Sequence, residues 1–284
     1  MNPRNSLGRM ALATALVAAT AGGAQAANVL VVLSDASALE LRDGPLFSTG
    51  FYLNELMQPV KLLQDAGHRL TFATPLGKAP SLDRASVDAA YFADDAASLA
   101  THQALLDRLK LISASESPVI SLSRVEQIGY GQFDAVYVPG GHAPMQDLLT
   151  SRPLGNLLRA FHAAGKTTAL VCHGPIALLS TLAKADDFTR QLAQSGRAEA
   201  PSDWIYAGYR MTVISNQEEE LAKAQLAGGT MKFYPQTALQ QAGGHYGSNA
   251  SAWAPFMVVD RELITGQNPA SALPVAKALL ERLK

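Results

Sequence analysis

The chain has 284 residues, 48% of them hydrophobic and 17% charged, with a formal net charge of −1 and a single cysteine. Such a length and apolar content are enough to bury a large core. A charge near zero with no dense Lys/Arg run gives no electrostatic basis for binding nucleic acid or an acidic membrane surface, and one cysteine excludes a disulfide within the chain.

In chain order, residues 1–26 read as a signal peptide. Arg4 and Arg9 supply a positive start, Met10 to Thr20 an apolar run too short to span a bilayer, and Ala24-Gln25-Ala26 a small-x-small cleavage site. The mature chain is expected to begin near Ala27 and, in a bacterium, to reside in the periplasm, free of the membrane once cleaved. In that oxidising compartment a lone thiol is a liability unless it is buried or used.

Asn28 to Ser34 is a continuous apolar run of the kind that forms a central parallel strand. A loop over 35–50 leads to a helix over Phe51–Ala66, with Leu53, Leu56, Val60 and Leu63 at helical spacing and Gly67 as its stop. His68–Thr74 is a strand. The polar, alanine-rich stretch 81–118, helical from Ala96 to Leu111, is expected to form a cap-like insertion, and Arg124–Ile128 a short element. Strands follow at Asp134–Pro139 and Thr167–Val171, with a helix over Leu154–Ala164 between them and another over Pro175–Lys184. Arg210–Ser215 is read as a strand, Glu218–Gln225 as a helix, Phe256–Asp260 and Leu263–Thr265 as a strand pair, and Ala270 to about Leu283 as the closing helix. Strands alternating with helices predict an α/β fold over 27–284, one domain with a mostly parallel sheet and helices on both faces. In such sheets ligands bind at the carboxyl ends of the strands.

Three features fall at those ends. Val171-Cys172-His173-Gly174-Pro175 carries the cysteine from an apolar strand straight into a helix start, a strand-turn-helix elbow that exposes a nucleophile. A helix N-terminus and the neighbouring imidazole both favour thiolate, and such placements lower a thiol pKa from about 8.5 to roughly 3.5–7.5. Pro139-Gly140-Gly141-His142 follows a strand, and its glycines let backbone N–H groups approach an oxyanion. Glu55 sits inside an otherwise apolar helix, where a carboxyl needs a partner or keeps its proton. The acids Glu218, Glu219 and Glu220 open a helix, where macrodipole compensation alone would account for them. No HExxH, CxxC or other metal-ligand spacing occurs. His68, His102, His162 and His245 read as surface or loop residues, and Trp204, Tyr206, Tyr209, Phe233, Tyr234 and Trp253 as core or interface, with one of them available to wall a pocket.

The order of Glu55, Gly-Gly-His142, Cys172-His173-Gly174-Pro175 and Thr265-Gly-Gln-Asn-Pro-Ala-Ser271 resembles the ThiJ/PfpI superfamily, in particular its glutathione-independent glyoxalases and heat-shock chaperones. The resemblance runs from about Asn28 to Leu283. It implies a flavodoxin-like three-layer sandwich in which Cys172 is the nucleophile and His173 its partner. Glu55 would donate to the sulfur or shuttle a proton, Glu219 would orient the histidine with the register open among the three acids, Gly140, Gly141, His142 and Gly174 would line the substrate and oxyanion site, and the backbone N–H groups of Gly141 and His173 would be the oxyanion donors. It also implies turnover of small carbonyl compounds, 2-oxoaldehydes such as methylglyoxal, to 2-hydroxy acids without cofactor or metal, and a homodimer. A periplasmic holdase for unfolded client proteins and a cysteine hydrolase acting on peptides or amides remain as alternatives. Ala143-Pro144-Met145 departs from the small turn common in the glyoxalases, and the His-x-Glu of glutamine amidotransferases is absent.

Overall fold

The structure is a computed structural model that describes residues 26–284; the predicted signal segment, apart from Ala26, lies outside the described residues. Its strands are β1 (Asn28–Val32), β2 (Ala38–Glu40), β3 (Leu46–Ser48), β4 (Arg69–Thr74), β5 (Ile120–Ser121), β6 (Ala135–Val138), β7 (Thr167–Val171), β8 (Arg210–Met211), β9 (His245–Tyr246), β10 (Met257–Asp260) and β11 (Leu263–Gly266). The helices are α1 (Leu53–Asp65), α2 (Ala96–Leu109), α3 (Leu122–Ile128), α4 (Arg152–Ala163), α5 (Ala185–Ser195), α6 (Asn216–Ala222), α7 (Pro235–Gln241) and α8 (Ala272–Arg282).

Seven strands form the main sheet in the order β10-β11-β7-β6-β1-β4-β5. All neighbours pair in parallel except β10 with β11. The apolar runs explain the centre: β6 and β7 are buried at every residue and β1 from Val29 onward, as a sheet covered on both faces requires. Helices α1 and α8 pack on each other, with α2 against α1, while α3 and α4 pack together and α4 lies on β7. From β1 the chain moves outward first through β4 and β5, then through β6 and β7 on the other side. That reversal puts a crevice at the carboxyl ends of β1 and β6, the usual ligand position in such sheets.

Several elements differ from expectation. The loop over 35–50 contains the hairpin β2–β3. The helix expected over Pro175–Lys184 is a 3₁₀ helix, Gly174–Thr181, buried at all eight residues. Packing decides its shape: Gly155 of α4 approaches so closely that a Cβ there would lie 2.1 Å from the Ser180 carbonyl oxygen. The strand expected over Arg210–Ser215 is regular only at β8, which pairs with β9; the rest runs extended past the elbow, Ile214 N–H donating to the Cys172 carbonyl at 3.1 Å. Helices α5 and α7 lie in stretches that received no assignment from sequence. Within 81–118, α2 packs on α1, and the second of two short 3₁₀ turns packs on α2. Among the described residues no helix is long and apolar enough to cross a membrane.

Candidate active site

Cys172 closes β7 with φ +59°, a left-handed conformation that costs a non-glycine residue about 1–3 kcal/mol. The surroundings hold it there, because its N–H donates to the Gly266 carbonyl at 2.9 Å and its carbonyl accepts from Ile214. The bend turns the thiol out of the sheet and toward His173, whose Nδ1 lies 3.4 Å from Sγ. The other ring nitrogen, Nε2, lies 2.9 Å from Glu219 Oε1 with both side chains buried. A sulfur, an imidazole and a carboxyl group thus stand in line, the acid fixing the ring's orientation.

The three consecutive acids have three different fates. Glu219 holds His173. Glu220 is directed to Tyr234 and Lys223 on the exposed side. Glu218, fully buried, completes a capping box with Ser215 and also accepts from Gln267, Asn268 and the Trp253 N–H at 2.9, 2.8 and 2.8 Å. Burial would raise its carboxyl, but the hydrogen bonds from Asn268, Ser215 and Gln267 outweigh it and hold the group below the ordinary carboxylate value. Its stabilisation is therefore present above that ordinary value and lost as pH falls through the lowered one. We expect Glu218→Ala to cost about 3–5 kcal/mol and to flatten the acid limb of the wild-type stability curve, measured by urea unfolding from pH 3 to 7.

Glu55 lies in the first turn of α1, with no exposed surface. Oε2 accepts from Gly140 N–H at 2.8 Å, Oε1 has no hydrogen-bond partner, and the carboxyl adjoins the Cys172 thiol. Burial pushes this carboxyl up to about 8, against the lowering effect of Cys172 and the Gly140 N–H. At neutral pH Glu55 is thus a proton donor beside the sulfur. Cys172 does not meet the expectation of an easily ionised thiol: burial first, then the Glu55 and Glu219 charges, push it well above the ordinary thiol range, while Gly141 N–H pulls the other way. The segment that follows is 3₁₀ rather than α-helical.

The glycine positions divide. Gly141 (φ +79°) points its N–H at Cys172 and abuts Gly50, whose carbonyl oxygen would lie 2.0 Å from a Cβ. The Gly140 N–H is committed to Glu55, so it is not an oxyanion donor; what Gly140 contributes is space, since a Cβ would lie 2.6 Å from both Cys172 Cβ and Glu55 Oε2. Gly174 packs under the Val138 carbonyl, 2.6 Å from a would-be Cβ, and does not line the cavity. His142 does line it. Its ring lies 4.3 Å from that of His173, and burial, then His173, keeps it neutral.

His142, Cys172, His173 and Glu219 open onto a cavity of about 860 Å³. Sequence reasoning missed two of its walls. Tyr52 precedes α1, Tyr91 comes from the 81–118 segment, and the two rings meet edge to face at 5.4 Å. Isolated tyrosines carry no sequence signal for such a convergence. Trp253 is the aromatic that walls the pocket, whereas Trp204 and Tyr206 are core. Of the remaining histidines, His68 and His102 are buried rather than at the surface, bonded to Ala27 N–H and the Ser98 carbonyl. His142, His173 and Glu219 also offer ligand atoms within 4.8 Å of one another. No spacing motif could have shown this, since the three come from separate parts of the chain.

A cysteine on a strained turn at the carboxyl end of an interior strand, with a histidine beside it and a carboxyl on either side, defines a cysteine-centred α/β protein. The chain belongs to the ThiJ/PfpI family: the model described as ThiJ/PfpI family-like matches residues 46–197, more than half of its length. It is 26% identical over 266 residues to the protein/nucleic acid deglycase HchA of Pseudomonas aeruginosa, covering 89% of this chain and 81% of that protein. It is 25% identical over 276 residues to the probable glutathione-independent glyoxalase hsp3103 of Schizosaccharomyces pombe, covering 92% and 99%. The crystal structure of glyoxalase III from Candida albicans shares the fold, with a TM-score of 0.65 at 18% identity and coverage of 91% and 98%.

Proposed function

We propose that the protein is a cysteine-dependent, glutathione-independent glyoxalase that converts 2-oxoaldehydes to 2-hydroxy acids. The observation that carries this reading is the line Cys172–His173–Glu219 with a second, fully buried carboxyl, Glu55, beside the sulfur. The names of the relatives, glyoxalase and deglycase, support it. Because the thiol is held protonated, its activation falls to proton transfer. As Sγ bonds to the aldehyde carbon, the thiol proton passes to His173 and on to the aldehyde oxygen, giving a hemithioacetal. Gly141 N–H, directed at the sulfur, is placed to donate to the developing oxyanion. His173, neutral again, removes the C1 proton as the O1 proton passes to O2, giving an enediolate, and the imidazolium, whose proton exchanges with solvent, protonates C2 to leave a thioester. Water cleaves the C–S bond and releases the 2-hydroxy acid, and the Glu55 proton supports sulfur as the leaving group. The cysteine replaces the external thiol, so no glutathione enters the sequence of steps.

The test is to incubate the purified mature protein with methylglyoxal, adding neither glutathione nor metal, and to follow lactate by NMR. Catalytic lactate formation is expected, and none above the protein-free rate would overturn the reading. Proton transfer between C1 and C2 is also needed only for an oxoaldehyde. A panel of peptides and amides should therefore show no turnover, which separates this activity from hydrolysis at the same cysteine.

A further inference from the structure

The space in front of Cys172 is much larger than a three-carbon aldehyde needs. Methylglyoxal fills on the order of 100 Å³, a few water volumes, whereas the cavity holds about 860 Å³, well within the size range of pockets for drug-sized ligands. Its outer wall is apolar. Of seven large hydrophobic side chains exposed among the described residues, three form part of this rim: Leu221 (60%), Trp253 (43%) and Leu273 (36%). Large apolar groups gathered around a cleft, when most others are buried, mark a surface that an apolar ligand covers. Further in, Tyr91 and Phe92 continue the wall toward the sulfur.

The charges agree with that reading. No lysine or arginine lines the cavity, and the one carboxylate on its wall, Glu219, is already paired with His173. A substrate bearing a carboxylate or phosphate would lose its hydration there without a counter-charge.

Trp253 is also held in place. Its backbone is left-handed, φ +65°, and its N–H is bound to Glu218, the same buried carboxylate that fastens Asn268. An indole carried on an anchored backbone at a cavity mouth gives a flat surface, with only two side-chain torsions to order when a ring stacks on it.

We propose that the physiological substrate is an uncharged 2-oxoaldehyde whose ketone carbon carries an aromatic or similarly bulky apolar group, and that Trp253 is the residue that selects it. This rests on the glyoxalase reading above and narrows its substrate class. The chemistry at C1 and C2 is unchanged; the added group lies outside the reacting atoms, against Trp253 and Leu273, and contributes binding that a methyl group cannot.

The test compares kcat/KM for phenylglyoxal and methylglyoxal in the wild type, Trp253→Ala and Leu273→Ala, each checked for an unaltered circular dichroism spectrum. The wild type should prefer phenylglyoxal by about 10-fold or more, and each substitution should lower that ratio, Trp253→Ala by about 10-fold. Comparing ratios between variants cancels the intrinsic reactivity of the two aldehydes. A wild-type ratio near one, or a ratio unmoved by both substitutions, would overturn the proposal. If neither aldehyde is turned over, the glyoxalase reading is at fault, and a binding arm decides the cavity assignment. Cys172→Ala is then titrated by calorimetry with 2-hydroxyacetophenone and with hydroxyacetone. Binding of the aromatic ketone about 10-fold more tightly would uphold it, and equal or absent binding would refute it.

Discussion

Cys172→Ala should abolish lactate formation, lowering kcat/KM for methylglyoxal by about 10³-fold or more, while leaving the fold in place. The size of the loss follows from chemistry: with no sulfur there is no hemithioacetal and no acyl-enzyme, and water cannot substitute at the buried bend. The stability change should be small for a different reason. Alanine keeps Cβ and removes one atom that faces a cavity, so about 1 kcal/mol is expected, and the left-handed backbone is equally strained in both proteins. Thermal melts and progress curves on the same preparations check both halves. Activity surviving in the variant would assign the chemistry to another group, and loss of folding would make the cysteine a structural residue.

Glu55→Gln should lower kcat by about 10²-fold and also change the shape of the pH profile. In the folded protein Glu55 holds its proton up to about 8, so the wild type keeps a neutral donor beside the sulfur through neutrality. As pH rises through 8 the carboxyl ionises. It then faces the sulfur as a like charge, the thiolate becomes a poorer leaving group, and activity should fall. Glutamine retains a donor but cannot ionise, so the descending limb should disappear from its profile. The same shift has a sign in stability. The folded state binds a proton that the unfolded state releases near 4.5, so wild-type stability declines as pH rises from there toward 8, and the variant should lack this decline. Rate profiles and urea midpoints between pH 5 and 9.5 measure both effects; a limb unmoved in Glu55→Gln would assign it to another group.

Much of this site is legible in the sequence because its parts are local. An apolar run ending in Cys-His, glycines after a strand and an acid inside an apolar helix each announce themselves within a few residues. What was not legible depends on long-range packing. The setting of Cys172 is one such case: its burial and the facing carboxyls of Glu55 and Glu219, which push the thiol up, come from distant parts of the chain that nothing near Cys172 in the sequence shows. Gly140 was misassigned for a similar reason, since nothing local shows that its N–H is taken by a carboxyl from α1. The register among three adjacent glutamates was open because all three suit a helix start; only the partners, His173 for one and Trp253, Gln267 and Asn268 for another, tell them apart. Helix α5, by contrast, could have been found: Ala185, Phe188, Thr189 and Leu192 form a buried stripe at helical spacing and Gly196 caps it.

The most direct measurement is turnover of methylglyoxal in D₂O with the lactate methyl signal read by proton NMR. Transfer through an enediol on His173 lets the migrating proton exchange with solvent, so lactate should carry deuterium at C2 and its methyl doublet should collapse. A methyl doublet fully retained would show that the migrating hydrogen never exchanged with solvent, and would contradict transfer through an exchanging imidazolium on the Cys172–His173–Glu219 line.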